Sequence, residues 1–163
     1  MTFNKISSQG VAELLEVTVA GVSAFTGCVV KAMFLGPGTT IADNWDDVAV
    51  LSDGTFTLDE FTSGLGSTYY RQTVGSIIIN ASNGVVSFTG DPIVWLALPQ
   101  GGVDIERVLL YIEKDAVVDP DSSGGLDLRV PLALMDLVFT PDGTDITVNP
   151  SATGFFSLNV YGC

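Results

Sequence analysis

The chain has 163 residues, of which 47% are apolar and 15% charged, with no histidine and a net charge of −13. This length fits one domain with a real hydrophobic core. The acidity, and the scattered positions of the six lysines and arginines, exclude the basic stripe typical of nucleic-acid-binding proteins. The lack of histidine excludes Ser-His-Asp and Cys-His catalysis within this chain, and we expect neither enzymatic activity nor a cofactor.

The first predicted element is a short N-terminal helix at about residues 8–20. Ser7 or Ser8 can cap it, and Leu14 lies in a set of residues at helical spacing that ends before Gly21. The run "CVVKAMFLGPG" then predicts a buried strand closed by a turn. The next stretch, residues 39–67, has no regular pattern, and a loop of this length is usually functional or held against a partner.

From Tyr69 onward the sequence pattern is β. Asn83-Gly84 predicts a hairpin, and "PIVWLALP" predicts a buried strand with Trp95 in the core. "LDLRVPLALMDLVFT" contains Pro131, which fits only an edge, a strand start or a bulge, so this run predicts two strands or one broken strand. With "ERVLLYIEKD", "TDITVNP" and "GFFSLNVYG", about eight or nine short strands follow at the spacing typical of a sandwich or barrel.

The predicted fold is therefore mainly β: a single domain over residues 1–163, an antiparallel β-sandwich or barrel with one short N-terminal helix. Its apolar share is high beside a charged share well below the usual value of about 25%. No run reaches the roughly 18 uninterrupted apolar residues that a membrane helix needs, so we expect no membrane partner. An unusually apolar small domain would explain the surplus, but we favour an interface between subunits, which resembles a core cut in half.

Two patterns raise the possibility of a functional site, and each has a simpler reading. Asp119, Asp121 and Ser123 have the spacing of the first ligands of a calcium loop, but Val130 stands where such a loop needs a glutamate. Turn residues explain these three better than a metal site does. A glycosidase-like pair of carboxylates is the other possibility, although a solvated acidic loop is the favoured reading. The acids in question are Asp43, Asp46, Asp47, Asp59 and Glu60.

The candidate interface residues are aromatic, apolar or charged side chains near irregular stretches. Trp45, beside Asp46, is the best contact in the long loop, because its indole N–H can remain wet or meet a partner. Tyr69, Tyr70 and Arg71 are of types enriched at interfaces, although the start of an edge strand would explain them equally well. The predicted helix contributes Leu14.

Several phrases of the sequence resemble small structural proteins of tailed-bacteriophage virions. "SSQGVAELLE" precedes "VVKAMFL", and "PGTTIADNWDDV" and "LDEFTSGLGSTYYRQTV" follow. Then come "VWLAL", "VLLYIEKD", a loop of Asp and Ser, and "NPSATGFFSLNV". The resemblance covers most of the chain, although the loop around residues 43–54 is longer than the pattern leads us to expect.

This resemblance implies a non-enzymatic virion component, made in the host cytoplasm, and above all a capsid decoration or cement protein. Such proteins lie on the capsid exterior, often as homotrimers, and hold copies of the major capsid protein together. A tail, baseplate or fibre component is the main alternative, and a carbohydrate-binding β-sandwich is a more distant one. The stretch from Thr57 to Asn80 is then interpreted as a connector that leaves a partner-facing loop and enters the sheet, with glycines for turn freedom.

Overall fold

A computed structural model describes residues 5–6, 28–41, 56–61, 70–82, 85–98, 103–114, 129–152 and 154–159. The helix predicted at about residues 8–20 lies outside them, as do several of the candidate residues. Those candidates are Leu14, Asp43, Trp45, Asp46, Asp47, Tyr69, Asp119, Asp121 and Ser123.

The described residues form twelve β-strands. In chain order they are β1 (Lys5–Ile6), β2 (Cys28–Leu35), β3 (Thr40–Ile41), β4 (Phe56–Thr57), β5 (Gln72–Thr73), β6 (Ile78–Ser82), β7 (Val85–Thr89), β8 (Ile93–Trp95), β9 (Ile105–Lys114), β10 (Arg129–Phe139), β11 (Ile146–Val148) and β12 (Phe156–Asn159). Four of the twelve have two residues each, which leaves eight longer strands. The longer strands match the runs predicted from the sequence.

The largest sheet has five strands in the order β1-β10-β9-β2-β5, with every neighbouring pair antiparallel. Three smaller sheets have the orders β12-β7-β6, β11-β8 and β3-β4. One buried cluster joins residues of the large sheet to residues of β7, β8, β11 and β12, and its members include Phe34, Leu110, Phe88, Trp95 and Val148. The mainly β, antiparallel fold predicted from the sequence is confirmed, and of the two predicted architectures, sandwich or barrel, the separate sheets around one core fit a sandwich.

The central strands of the large sheet are buried on both faces. Phe34 and Leu110 belong to the main core, whereas Met33 and Leu109 belong to a second buried cluster on the opposite face. Because successive side chains of a strand point to opposite faces, burial of both faces requires an unbroken apolar run. Part of the apolar surplus of the sequence is therefore used inside the chain.

Strand β10 is continuous through Pro131. Pro131 lies opposite Tyr111 of β9 and Ala133 lies opposite Leu110, so one additional residue of β10, Leu132, falls between them. Proline has no N–H to donate to a neighbouring strand, and a bulge accommodates that loss. Of the two interpretations of this run, the structure supports one strand, with one irregularity at Pro131 and a second between Asp136 and Phe139.

Two further predictions about local structure are confirmed. Strands β6 and β7 pair antiparallel with Ser82 opposite Val85, as the hairpin at Asn83-Gly84 requires. Trp95 is 1% exposed and packs against Phe34 with the two rings tilted and their centroids 4.0 Å apart. It donates its indole N–H to the carbonyl of Tyr70 at 2.9 Å. A buried Trp that has both ring contacts and a partner for its N–H is typical of a core.

Candidate interaction surface

Tyr70 and Arg71, two of the residues predicted to lie at an interface, have opposite environments. Tyr70 is 54% exposed, whereas Arg71 is 8% exposed. The Arg71 guanidinium donates from Nε to Glu60 Oε1 at 2.7 Å and from Nη2 to Glu60 Oε2. Two parallel bonds of this kind are the strongest form of an arginine–carboxylate pair. Tyr70 therefore remains available to a partner, while Arg71 stabilises the chain that contains it.

The acids Asp59 and Glu60, which the sequence raised as possible catalytic carboxylates, both have structural contacts. Asp59 accepts a hydrogen bond from the backbone N–H of Gly38 at 2.9 Å, and its own N–H is donated to the Thr39 hydroxyl at 3.0 Å. The same segment is held by the N–H of Gly36, donated to the Asp59 carbonyl at 2.7 Å. These bonds fix the Gly-Pro-Gly turn after β2. The interpretation of Thr57 to Asn80 as a connector stays a prediction, because residues 62–69 lie outside the described part of the chain.

A second set of buried charges lies on the face of the large sheet away from the main core. The Lys31 ammonium is 2.8 Å from Glu113 Oε2, and Arg129 donates from Nε and Nη2 to Glu113 Oε1 at 3.3 Å each. All three side chains are at most 8% exposed. With Arg71, three of the six cations of the chain are thus buried and engaged by carboxylates.

Tyr111 lies among these charges. The Arg129 guanidinium is 5.8 Å from its ring centroid, within the range of a cation–π contact. Burial raises the pKa of the Tyr111 hydroxyl, nearby Glu113 and Glu60 raise it further, and Arg71 and Arg129 act in the opposite direction. The hydroxyl has no hydrogen-bond partner among the described residues. Because it is fully buried and stays protonated, it cannot serve as a base for an external substrate.

An open groove of about 450 Å³ lies between the end of β10 and β11. Its lining residues fall in two runs, Leu137–Thr140 and Thr144–Val148, together with Asp142 from the connecting turn. Val148 is fully buried, and Leu137, Phe139 and Ile146 pack against the main core. The Phe139 ring also meets Phe34 edge-on, with 5.6 Å between centroids. The floor of the groove is therefore an extension of the core that reaches the surface.

One exposed apolar side chain lies in this groove, and others belong to neighbouring segments. Val138, in its lining, is 75% exposed. Val94 lies opposite Thr147 in the β8–β11 pair and is 37% exposed, and Leu96, which follows Trp95, is 66% exposed. Val103, 40% exposed, precedes Asp104, whose carboxylate accepts a hydrogen bond from the lining Thr140. Of the six large apolar side chains that are exposed in the described part of the chain, Val138 lies in the groove, and Val94, Leu96 and Val103 belong to segments that pair with or are bonded to its lining.

The rim of the groove carries carboxylates. Asp142 and Asp145 line it, and none of the described lining residues is a lysine or arginine. The Thr144 hydroxyl donates to Asp142 Oδ1 at 2.6 Å, and this bond and the Thr144 N–H lower the pKa of Asp142. Asp145 accepts the N–H of Ala97 at 2.7 Å, where the chain has the left-handed backbone conformation. Both acids are exposed, and each is held in place by hydrogen bonds to a turn.

The described ranges of the chain contain no group of three or more Cys, Asp and Glu side chains that could hold a metal ion. In the same ranges, the structure contains no helix of the length and hydrophobicity that crossing a membrane requires.

Comparison with models of protein families, with curated proteins and with solved structures finds no match to this chain. The resemblance to virion proteins therefore stays a prediction.

The analysis of the sequence did not identify this groove, although one signal was present. Asp136, Val138 and Thr140 alternate along the end of β10, and all three are exposed. Period-two spacing places Val138 on the same side as two polar residues, and an apolar residue at such an outward position is a signal for a contact surface. The partnership of this segment with β11 depends on the tertiary structure.

Proposed function

We propose that this chain is a non-enzymatic structural protein of a tailed-bacteriophage particle, and specifically a capsid decoration, or cement, protein. The observation that carries the proposal is the open groove at the end of β10, with Val138 exposed in its lining and with Val94 and Leu96 exposed in and directly after β8, the strand that pairs with β11. Large apolar side chains that gather at one open surface are typical of a surface covered by another protein. The virion-like phrases in the sequence favour a particle as the setting.

The proposed mechanism is stabilisation by mass action. A subunit that binds the assembled shell, and not its dissociated parts, stabilises the shell by its binding free energy. The partners are the major capsid protein and other copies of this chain, with a trimer as the proposed oligomer. Three linked contacts add avidity without any new kind of contact. A net charge of −13 suits the outside of the shell, away from packaged DNA, because like charges repel.

A tail, baseplate or fibre component would use the same kind of surface. Its copy number would differ, because a cement protein covers the whole shell whereas a tail part occurs at one vertex. A carbohydrate-binding sandwich has less support from the described side chains. Tyr70 is the only exposed aromatic among them, since Trp95 and most of the phenylalanines are buried. Such a site would need exposed rings on which sugars stack.

The test of this proposal is binding to purified shells of the virus that encodes the chain. The purified protein is first characterised by light scattering and then mixed with expanded shells, with unexpanded shells and with unassembled major capsid protein, and pelleted. We expect a trimer that pellets with expanded shells in near-stoichiometric ratio to the major capsid protein. A protein that leaves all shells unbound but is found in purified tails would overturn the cement proposal in favour of a tail component.

A further inference from the structure

We infer that the peptide bond between Asp142 and Gly143 is a site of spontaneous isomerisation to isoaspartate, and that hydrogen bonds from Thr144 hold this reaction in check. The site lies in the turn between β10 and β11, and Asp142 and Thr144 both line the groove. The inference goes beyond the proposed function and does not depend on it, because it concerns a covalent change within the chain itself.

The reaction needs only water and no oxidant or reductant. The backbone nitrogen of Gly143 attacks Cγ of the protonated Asp142 carboxyl, and the carboxyl OH leaves as water together with the amide proton. The product is a five-membered cyclic imide, which water then opens. Cleavage of the new N–Cγ bond restores aspartate, whereas cleavage of the original peptide bond leaves isoaspartate, in which Cγ carries the main chain.

Three features of the turn favour this reaction. Asp142, Gly143 and Thr144 are all exposed, so water reaches the carboxyl and the imide that it forms. A glycine follows the aspartate, so no Cβ shields the attacking nitrogen. The φ angle of Gly143 is +93°, and no described atom lies within 4 Å of the position that a Cβ would take, so this residue is not packed against the rest of the described chain.

Thr144 opposes the reaction through two hydrogen bonds. Its hydroxyl donates to Asp142 Oδ1 at 2.6 Å, and its backbone N–H donates to the same oxygen at 3.0 Å. These bonds favour the ionised carboxyl and lower the pKa of Asp142, with the hydroxyl as the larger cause. Attack by the nitrogen requires the neutral carboxyl, because an ionised one has no OH to leave as water. The two bonds therefore slow the reaction at neutral pH.

The other charged residue in the described lining of the groove is Asp145. Its carboxylate is held separately, since Oδ1 accepts the N–H of Ala97 at 2.7 Å. A neighbouring negative charge disfavours ionisation of a carboxyl and so acts against Thr144. The pKa of Asp142 is lowered nevertheless. The Thr144 hydroxyl is therefore the group whose removal should release the reaction.

Isoaspartate at position 142 changes the turn that leads into β11. The main chain then passes through Cβ and Cγ, which adds an atom to the backbone, and the free carboxylate is attached directly to Cα. Strand pairing holds Ile146 opposite Trp95, so the added length must be accommodated between β10 and this pair. Because the carboxylate moves relative to Thr144, we expect the two hydrogen bonds that hold it to be lost.

The test measures isoaspartate in the full-length protein, with Thr144→Val and Thr144→Ser as matched variants. Valine removes the hydroxyl and keeps the branched shape, whereas serine keeps the hydroxyl. After incubation of the folded proteins, trypsin leaves Asp142 in the peptide of residues 130–163. Asp53, which is also followed by Gly and Thr, falls in the peptide of residues 32–71 and serves as an internal reference. Mass spectrometry with electron-transfer fragmentation distinguishes isoaspartate from aspartate at each position.

We expect Thr144→Val to form isoaspartate at position 142 about threefold faster than the wild type or more, and Thr144→Ser to stay near the wild-type rate. The rate at Asp53 should be the same in all three proteins. The rate at position 142 should rise from neutral to mildly acidic pH, because the neutral fraction of the carboxyl grows. Gly143→Ala should slow the reaction, because a Cβ then shields the nitrogen.

Two results would overturn the inference. One is that folded Thr144→Val forms isoaspartate at position 142 no faster than the wild type, which would show that Thr144 does not restrain the reaction. The other is that position 142 stays unmodified in folded Thr144→Val while the urea-unfolded chain forms isoaspartate there, which would show that the folded turn forbids ring closure. Near-ultraviolet circular dichroism checks folding, and Thr144→Ala replaces the valine variant if that variant is misfolded.

Discussion

Glu60 and Arg71 form a two-point ion pair across a sequence separation of 11 residues, and this pair joins the residues that follow β4 to those that precede β5. The two side chains are 14% and 4% exposed. Glu60, considered in the sequence as one of a possible pair of catalytic carboxylates, is thus part of a structural ion pair. Its neighbour Asp59 holds the turn after β2.

We predict that Glu60 and Arg71 are energetically coupled through their ion pair. Arg71→Met and Glu60→Gln should each lower the free energy of unfolding by about 3 kcal/mol, because each leaves a poorly solvated charge without its partner. The double variant should lose less than the sum of the two. Urea unfolding of the four proteins measures this directly, and strictly additive losses would show that the pair does not act as a unit.

We predict that ionisation of the Tyr111 hydroxyl lowers the stability of the protein at alkaline pH. The pKa of its hydroxyl is raised, mainly by burial, above the usual value of 10.0. A raised pKa means that the folded state holds the proton more tightly than the unfolded state. The resulting stability is therefore fully present below about pH 10 and is lost as pH rises through the folded pKa, by up to about 1.4 kcal/mol per pH unit.

The variant Tyr111→Phe removes this titration and keeps the ring in place. Above pH 10 its unfolding free energy should fall with pH less steeply than that of the wild type. At neutral pH it should be as stable as the wild type or more stable by about 1 kcal/mol, since the buried hydroxyl has no partner among the described residues. Urea unfolding at several pH values tests both statements, and a variant that is markedly less stable at pH 7 would show that the hydroxyl is satisfied in solution.

We predict that removing a buried carboxylate from β9 costs more stability than removing a partly exposed one from the same strand. Glu113→Gln removes the carboxylate that lies between Lys31 and Arg129, and we expect a loss of about 3–5 kcal/mol. The control Glu106→Gln affects a partly exposed pair whose charged atoms are 3.8 Å apart, and we expect a loss below about 1 kcal/mol. Thermal unfolding of both variants at neutral pH is the measurement. Similar losses of stability in the two variants would mean that Glu113 does not compensate the buried charges of Lys31 and Arg129.

We predict that Gly154 tolerates no side chain, both because its φ angle is positive and because a Cβ would clash with β7. Comparison with Gly143 separates these two causes. Both have positive φ angles, +94° and +93°. A Cβ at Gly154 would lie 2.3 Å from the carbonyl oxygen of Phe88, whereas nothing lies within 4 Å at Gly143. Gly143→Ala should therefore cost about 1 kcal/mol, for backbone conformation alone. Gly154→Ala should cost several times more, because β12 must also move away from β7; equal losses in thermal unfolding would contradict the clash.

The groove illustrates where reasoning from the sequence stops. The outward orientation of Val138 is predictable from its alternation with Asp136 and Thr140. The residues that face it across the groove, from Thr144 to Val148, are brought there by the turn after β10. Asn83-Gly84 and the apolar run of β2 were predictable, since a turn type and a strand each depend on neighbouring residues. Long-range contacts have no such local signal.

The sequence by itself determined the fold class, the strands and the lack of histidine chemistry, because period-two patterns, turn residues and composition are local properties of the chain. Only the tertiary structure decided which charged residues are internal. Lys31, Arg71 and Arg129 are indistinguishable in sequence from surface cations, yet all three are buried beside carboxylates. Their pairing, and the groove between β10 and β11, depend on strand order. That order is set by the simultaneous burial of many side chains, which no single stretch of sequence encodes.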